Sequence, residues 1–336
     1  MIFVTGGTGL VGSHILLNLI ASGKPVRALY RHGSDFEMLE NLLANHGFRR
    51  DVIEWIEGDV NDLLLLDDAL KGVEEVYHSA ALVSFYPSDR KRMMKINVEG
   101  TANMVNMSMK NAVKRFCHVS SVATLDRSIS DSLIDESSLW KSSPDNSNYA
   151  MSKYGGEREV WRAMEEGLSA FIVNPSIVIG PGSWKSGSTQ MFSQVYKGLQ
   201  FYVTGTTGFV DVRDVASSVI KLMNMGVSGE RFILNSENLP YRVVFDAIAE
   251  NLSKPRSRFR VNSFLCELGW RLERIRGLIM NDNPMITKET ARSGLTHRAY
   301  SNQKIKNATG IDFILISKSI RDASVEFLKH VEKHRH

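Results

Sequence analysis

The sequence predicts an α/β fold, a doubly wound parallel sheet, and three observations carry that expectation. Short apolar runs suited to buried strands alternate with amphipathic helical stretches from Ile2 to about Gly182. A glycine-rich turn joins the first run to the first helical stretch. Serines, a tyrosine and a lysine then fall after predicted strand ends, on the edge where open sheets of this kind place ligands.

The opening turn reads Ile2-Phe3-Val4-Thr5-Gly6-Gly7-Thr8-Gly9-Leu10-Val11-Gly12-Ser13. Gly7 and Gly9 let the backbone turn tightly and approach a pyrophosphate, and Gly12 lets the helix lie close on the strand. Amides at the helix start face an anion there, favoured by the helix dipole. With a strand before it and a helix after it, the spacing Gly7-x-Gly9-x-x-Gly12 stands in the context of a dinucleotide cradle formed by Thr5 to Gly12. The plainer alternative is a strand–turn–helix without a ligand.

The 336 residues suffice for one large domain or two moderate ones, and 43% apolar residues for an ordinary core. With 41 basic against 37 acidic residues the net charge is only +4, and no dense basic block with interleaved aromatics appears, which argues against nucleic acid. The apolar runs fall short of a membrane span, and the first strand begins at Ile2, so no membrane partner and a cytoplasmic location are expected. Cys117 and Cys266 lack ligand spacing, so no metal is expected.

After the turn, Leu10 to Ala21 reads as a helix with Val11, Ile15, Leu16, Leu19 and Ile20 on one face. The second strand, Val26 to Arg31, ends in Tyr30-Arg31-His32. A carboxylate at that end suits the ribose 2′-hydroxyl of NAD and an arginine the 2′-phosphate of NADP, so Arg31 favours NADP, with Asp35 as the competing NAD contact. Ser34 to Asn45 reads as a helix capped by Ser34, and Val52 to Ile56 as a third strand. Beyond it, Asp59 and Val60 suit the adenine ring, although Asp59 equally suits the N-cap of a helix over Leu63 to Leu70.

Strand four, Glu75 to Ser79, leads into the small residues Ala80 and Ala81, which would let a cofactor cross the sheet edge. His78 reads as a satisfied structural group rather than a base. A long helix from Pro87 to Ala112 carries Asn97, and strand five, Arg115 to Ser120, delivers Ser120 and Ser121. A polar loop, Ser128 to Ser147, suits a flap over a site. The helix that follows starts at Asn148 and puts Tyr149 and Lys153 on one face, and Gly155 and Gly156 inside it predict a close backbone approach. Strand six, Ser169 to Asn174, runs into Pro175-Ser176-Ile177. Helices are expected over 186–199 and 212–225, extended segments over 209–213 and 231–235, and mostly helix beyond Pro240. Within that helical part, the stripe Phe264 to Met280 reads as core-facing and the pair His330 and His334 as a solvated helix end.

The glycine turn, Ser121, Tyr149 and Lys153 together resemble the extended short-chain dehydrogenases and reductases, the NAD-dependent epimerase/dehydratase superfamily. The likeness is dense from Ile2 to Gly182, reappears over Phe209 to Ala216 and is thin thereafter. Val26-Arg27-Ala28-Leu29-Tyr30-Arg31 and Asn174-Pro175-Ser176-Ile177-Val178-Ile179-Gly180-Pro181 look most like dihydroflavonol reductase and aldehyde reductase members. The resemblance implies a Rossmann-type sheet over residues 1–175, with 209–235 returning to it, and a smaller, mostly helical substrate domain from 176–208 and 236–336. It implies catalysis by Ser121, Tyr149 and Lys153. It extends the cofactor site to Asn97, Val119, Tyr149, Lys153, Asn174, Pro175, Ser176 and Ile177, and it implies a homodimer through the helices starting near Pro87 and Asn148.

In such chemistry a nicotinamide exchanges hydride with a carbonyl carbon while a phenol exchanges the proton. An unperturbed phenol near pKa ~10 is too weakly ionised, and a neighbouring ammonium lowers it. The family's nucleotide-sugar branch carries an acid at the second strand end, Asp-Glu after the catalytic hydroxyl and an asparagine near the diphosphate. This chain has Tyr30-Arg31, Val122-Ala123 and Ile177 at those places. The expectation is an NADPH-dependent reductase of a small, fairly apolar carbonyl, with a nucleotide-sugar epimerase or dehydratase retaining NAD as the alternative and a non-catalytic dinucleotide sensor as the third reading.

Overall fold

The computed structural model describes residues 1–125, 133–262, 267, 270–271, 289 and 293–334. Six strands alternate with helices in the first half: β1 (Ile2–Thr5), β2 (Val26–Tyr30), β3 (Glu54–Glu57), β4 (Glu75–His78), β5 (Arg115–Val119) and β6 (Ala170–Pro175). The helices between them are α1 (Leu10–Ala21), α2 (Glu37–Ala44), α3 (Leu63–Ala69), α4 (Arg90–Met93), α5 (Gly100–Lys110) and α6 (Asn148–Glu165). Later elements are β7 (Ile177–Ile179), α7 (Gln190–Tyr196), β8 (Phe201–Tyr202), β9 (Thr206–Asp211), α8 (Val212–Asn224), β10 (Glu230–Leu234), β11 (Glu237–Pro240), α9 (Tyr241–Asn251), β12 (Phe259–Arg260), α10 (Gln303–Thr309) and α11 (Ile316–Lys333).

The large sheet has seven strands in the order β10-β6-β5-β4-β1-β2-β3, all parallel. Both faces are covered, which is why its strands are apolar on both sides. Val4 meets Ile15, Leu16 and Leu19 of α1 and Val215, Val219 and Leu222 of α8 in one core cluster. Phe3 turns the other way, to Leu66 of α3, Met104 of α5 and Val160 of α6. A third cluster, with Phe192, Ile248, Ile320 and Phe327, unites α7, α9 and α11 beside a small mixed sheet in the order β11-β9-β7. β10 thus returns to the large sheet while β9 joins the small one.

Several boundaries differ from the sequence reading. α2 starts at Glu37 because the Ser34 hydroxyl accepts from the Arg31 amide and Asp35 from the Glu37 amide, closing turns ahead of the helix. α3 is capped by Asp62, which accepts from the Leu65 amide, and not by Asp59. The stretch expected as one helix from Pro87 to Ala112 has a π-helical section, Met94–Glu99, between α4 and α5. There the close approach predicted for the glycine pair occurs: a Cβ on Gly156 would stand 2.5 Å from the Asn97 carbonyl oxygen, and one on Gly155 2.7 Å from Val98. Met93 and Met104 are core residues, whereas Met94 is exposed.

No described helix is long and apolar enough to cross a membrane. Cys117 is buried. Cys266, and the stripe from Phe264 to Met280 apart from Glu267, Trp270 and Arg271, lie outside the described residues. The His330–His334 pair comes against Glu37 of α2, and Lys333 pairs with that carboxylate at 2.9 Å.

Candidate active site

A cavity of about 2110 Å³ runs along the carboxyl edge of the large sheet, from the glycine turn to the walls supplied by the second half of the chain. At its first end Gly6 adopts φ 71°, and its carbonyl accepts from the Gly9 amide at 2.9 Å. A Cβ on Gly12 would lie 2.1 Å from that carbonyl, so only glycine lets α1 approach so closely. α1 has no side-chain cap and no acid in its first turn, which leaves its leading amides open to an anion. Gly6, Thr8, Gly9, Leu10, Val11 and Gly12 line the cavity. The donor set and the cradle that a Cβ would fill both fit a dinucleotide pyrophosphate.

Two residues of the same stretch serve from behind. Gly7 faces Leu16, whose Cδ1 a Cβ would meet at 2.7 Å, and the buried Thr5 hydroxyl bonds His78 Nδ1 at 2.7 Å and accepts from the Ala80 amide at 3.2 Å. His78 also bonds Thr101 at 3.0 Å through Nε2, and burial pulls its pKa down to about 3, so it is a structural group.

At the end of β2, exposed Arg31 lines the cavity, as do Gly33, Ser34 and Asp35. Glu57 at the end of β3 is already engaged, accepting from the Tyr30 hydroxyl at 3.0 Å and meeting His32 at 2.7 Å. Asp35 accepts from the Glu37 amide. Among the described residues Arg31 forms no ion pair.

Besides Thr5 and Gly7, five more residues expected at the cofactor lie off the cavity wall. Asp59 accepts from the backbone and side-chain nitrogens of Asn61, Val60 packs on Gly100, and Ala80 is set on Thr5. Asn97 is 2% exposed because its amide group is spent on the Leu82 backbone and on Ser152, so it holds the loop after β4 in place. Asn174 is wholly buried beneath Ser121. Ala81, Val119, Pro175, Ser176 and Ile177 do line the cavity.

The groups expected to carry the chemistry line the cavity beyond β5, which ends at Val119, one residue earlier than the sequence suggested. Ser120 continues the ladder through its amide to the Val173 carbonyl, and its hydroxyl is buried without a partner. Ser121 is the serine that shares the cavity wall with the Tyr149 phenol and lowers its pKa, and its hydroxyl accepts from the Ala123 amide at 3.2 Å. Ser147 caps α6 through the Ala150 amide and thereby places Tyr149 in the first turn. Phe85 stands edge-on to the phenol ring with centroids 6.0 Å apart. Burial raises the Tyr149 pKa, against the lowering effect of Ser121. One helical turn on, Lys153 is 2% exposed and donates to the Val119 carbonyl at 2.7 Å. Burial lowers its pKa to about 8, and the Glu157 carboxylate opposes that fall.

The sequence reading passed over Glu157, Thr124 and Arg231, which form a polar cluster under this group. The four-residue interval Tyr149–Lys153–Glu157 was a signal for the first; Arg231 offers none, because only the sheet order brings β10 beside β6.

A family model described as the NAD dependent epimerase/dehydratase family matches residues 2–234. The chain is 28% identical over 335 residues to a protein of Synechocystis sp. provisionally named a dihydroflavonol 4-reductase, covering 98% of this chain and 94% of that one. It is 29% identical over 262 residues to sterol demethylase protein B of Methylococcus capsulatus, covering 77% and 76%. The crystal structure of gox2253 superposes with a TM-score of 0.82 at 30% identity over 98% of each chain.

Proposed function

The chain belongs to the NAD-dependent epimerase/dehydratase family, and from that premise we propose that it is an NADPH-dependent reductase of a carbonyl on a small, fairly apolar substrate. The observation that carries the reading is that Ser121, Tyr149 and Lys153 stand together on the wall of the same cavity that the glycine turn lines.

When bound, the nicotinamide supplies the hydride. Ser121 and Tyr149 present two hydroxyls to one point, so a carbonyl oxygen placed there is oriented and polarised by both. Tyr149 gives that oxygen its proton. Lys153, one helical turn from the phenol and charged below its pKa of about 8, would stabilise the phenolate left behind and hold a ribose at the cavity wall it lines. The glycine-turn amides would hold the pyrophosphate, and Arg31, which forms no ion pair among the described residues, would hold a 2′-phosphate; that is the support for NADPH over NADH.

The segments 176–208 and 236–336 form the substrate side of this reading. Val83, Phe85, Trp140, Phe201, Tyr241 and Phe245 line the cavity and favour an apolar substrate, in keeping with relatives named for a dihydroflavonol and for a sterol. A homodimer would form through the helical stretch starting near Pro87, which contains α4 and α5, and through α6. A monomer by light scattering removes that part alone.

The test is absorbance at the nicotinamide band with purified protein, NADPH or NADH, and a panel of aromatic and alicyclic aldehydes and ketones. Oxidation of NADPH supports the reductase. NAD retained through purification without net turnover supports the epimerase instead, and reversible binding without turnover supports a sensor.

A further inference from the structure

Tyr149, Lys153 and Glu157 follow one another at four-residue intervals and therefore share a face of α6. Glu157 is 1% exposed, and a carboxylate so far from water is costly unless its oxygens are matched. Its Oε1 accepts from Asn174 Nδ2 at 2.5 Å and from the Thr124 hydroxyl at 2.8 Å. Its Oε2 has no hydrogen bond and lies 3.7 Å from the Arg231 guanidinium.

Asn174 Nδ2 also donates to the backbone carbonyl of Ser121 at 3.1 Å, and Thr124 Oγ1 lies 3.0 Å from it, so the one Thr124 proton is shared between that carbonyl and the carboxylate. Asn174 and Thr124 are themselves 3.0 Å apart. One anion thus gathers the turn that carries the serine and the strand end beneath it. Arg231 ties the same cluster outward, donating to the carbonyls of Glu136 and Ser138 at 2.9 and 2.8 Å.

The charged and titratable neighbours of Lys153 and Glu157 are Tyr149 on α6, Arg231 on β10, His118 on β5 and His78 on β4, with Glu136 beyond Arg231. Burial holds both histidines neutral, which leaves the Glu157 carboxylate as the group that opposes the fall of the Lys153 pKa.

We propose that Glu157 is a positioning residue of the Ser-Tyr-Lys reaction: its buried carboxylate holds the Ser121 turn through Thr124 and Asn174 and keeps a negative charge one helical turn beyond the Lys153 ammonium. This rests on the reading of Ser121, Tyr149 and Lys153 given above. The two functions separate by substitution. Glu157→Gln keeps an acceptor for Thr124 and Asn174 but removes the charge. Thr124→Val keeps the charge and removes one tie to the serine turn.

The experiment measures kcat and KM for carbonyl reduction by the full chain between about pH 6 and 10, with thermal melting to show that each variant is folded. In E157Q, kcat should fall by roughly tenfold with KM within about twofold, and the alkaline limb of kcat should move to lower pH, because the ammonium loses its counter-charge. In Thr124→Val, kcat should fall with the alkaline limb where the wild type has it. An E157Q profile that superimposes on the wild type overturns the proposal, and so does an equal displacement of the limb in Thr124→Val. If E157Q does not fold, Thr124→Val and Asn174→Ala decide: lowered kcat with an unmoved limb sustains the proposal, and wild-type kcat in both defeats it. A wild type that turns over no carbonyl removes the Ser-Tyr-Lys reading itself, whereas turnover with an unmoved E157Q profile removes only this inference.

Discussion

The turn from Gly6 to Gly12 and the cluster of Ser121, Tyr149 and Lys153 line one cavity but are built in opposite ways. The turn works through backbone: open amides, a left-handed glycine and a contact at Gly12 that tolerates no side chain. Nothing in it titrates. The cluster works through side chains drawn from two segments, and burial moves the pKa of its phenol up and of its ammonium down. Binding is thus assigned to a part indifferent to pH, and chemistry to a part that depends on it.

Substitutions can break that division, and the largest effect belongs to the phenol. Tyr149→Phe should lower kcat by about 10³-fold while the NADPH dissociation constant stays within about twofold. Comparable losses in turnover and in cofactor binding would join the two regions and refute the proton-donor role. On the other side, Gly12→Ala forces a Cβ onto the Gly6 carbonyl and should weaken NADPH binding by roughly 10- to 100-fold, as overpacking of about 1–3 kcal/mol implies. Titration of nicotinamide fluorescence measures it, and unchanged affinity would show that the turn does not hold the cofactor.

Smaller effects sharpen the contrast. Arg31→Ala should weaken NADPH by roughly five- to tenfold and leave NADH nearly unaltered, the size of a charge-assisted contact at an exposed site. Equal losses for the two cofactors would dismiss the phosphate contact. For pH, the proposed mechanism needs Lys153 protonated, so kcat should hold below its pKa of about 8 and decline as pH rises through that value. NADPH affinity should stay flat over the same range, and a parallel decline in both would mean that the cradle titrates too.

Much of this was legible along the chain because it is local. The strand–turn–helix at Ile2 to Ala21 and the one-turn spacing of Tyr149 and Lys153 follow from backbone periodicity. The glycine pair in α6 pointed to a close approach, and the structure supplies its object, the π-helical section at Asn97. Less legible were Asn97 and Asn174. The family resemblance placed both at the cofactor, yet each spends its amide inside the protein on groups 15 to 55 residues away. A single polar residue does not disclose which way it faces.

By itself the sequence determined the alternation of elements, the glycine cradle and the types of residue available for acid–base work, since each depends on neighbours within a helical turn or two. Tertiary structure decided which serine meets the phenol, which carboxylate lies beneath the lysine and which cation lies behind that carboxylate. Those choices depend on strands β5, β6 and β10 lying side by side, a pairing made by burying two apolar faces at once and recorded at no single position in the chain.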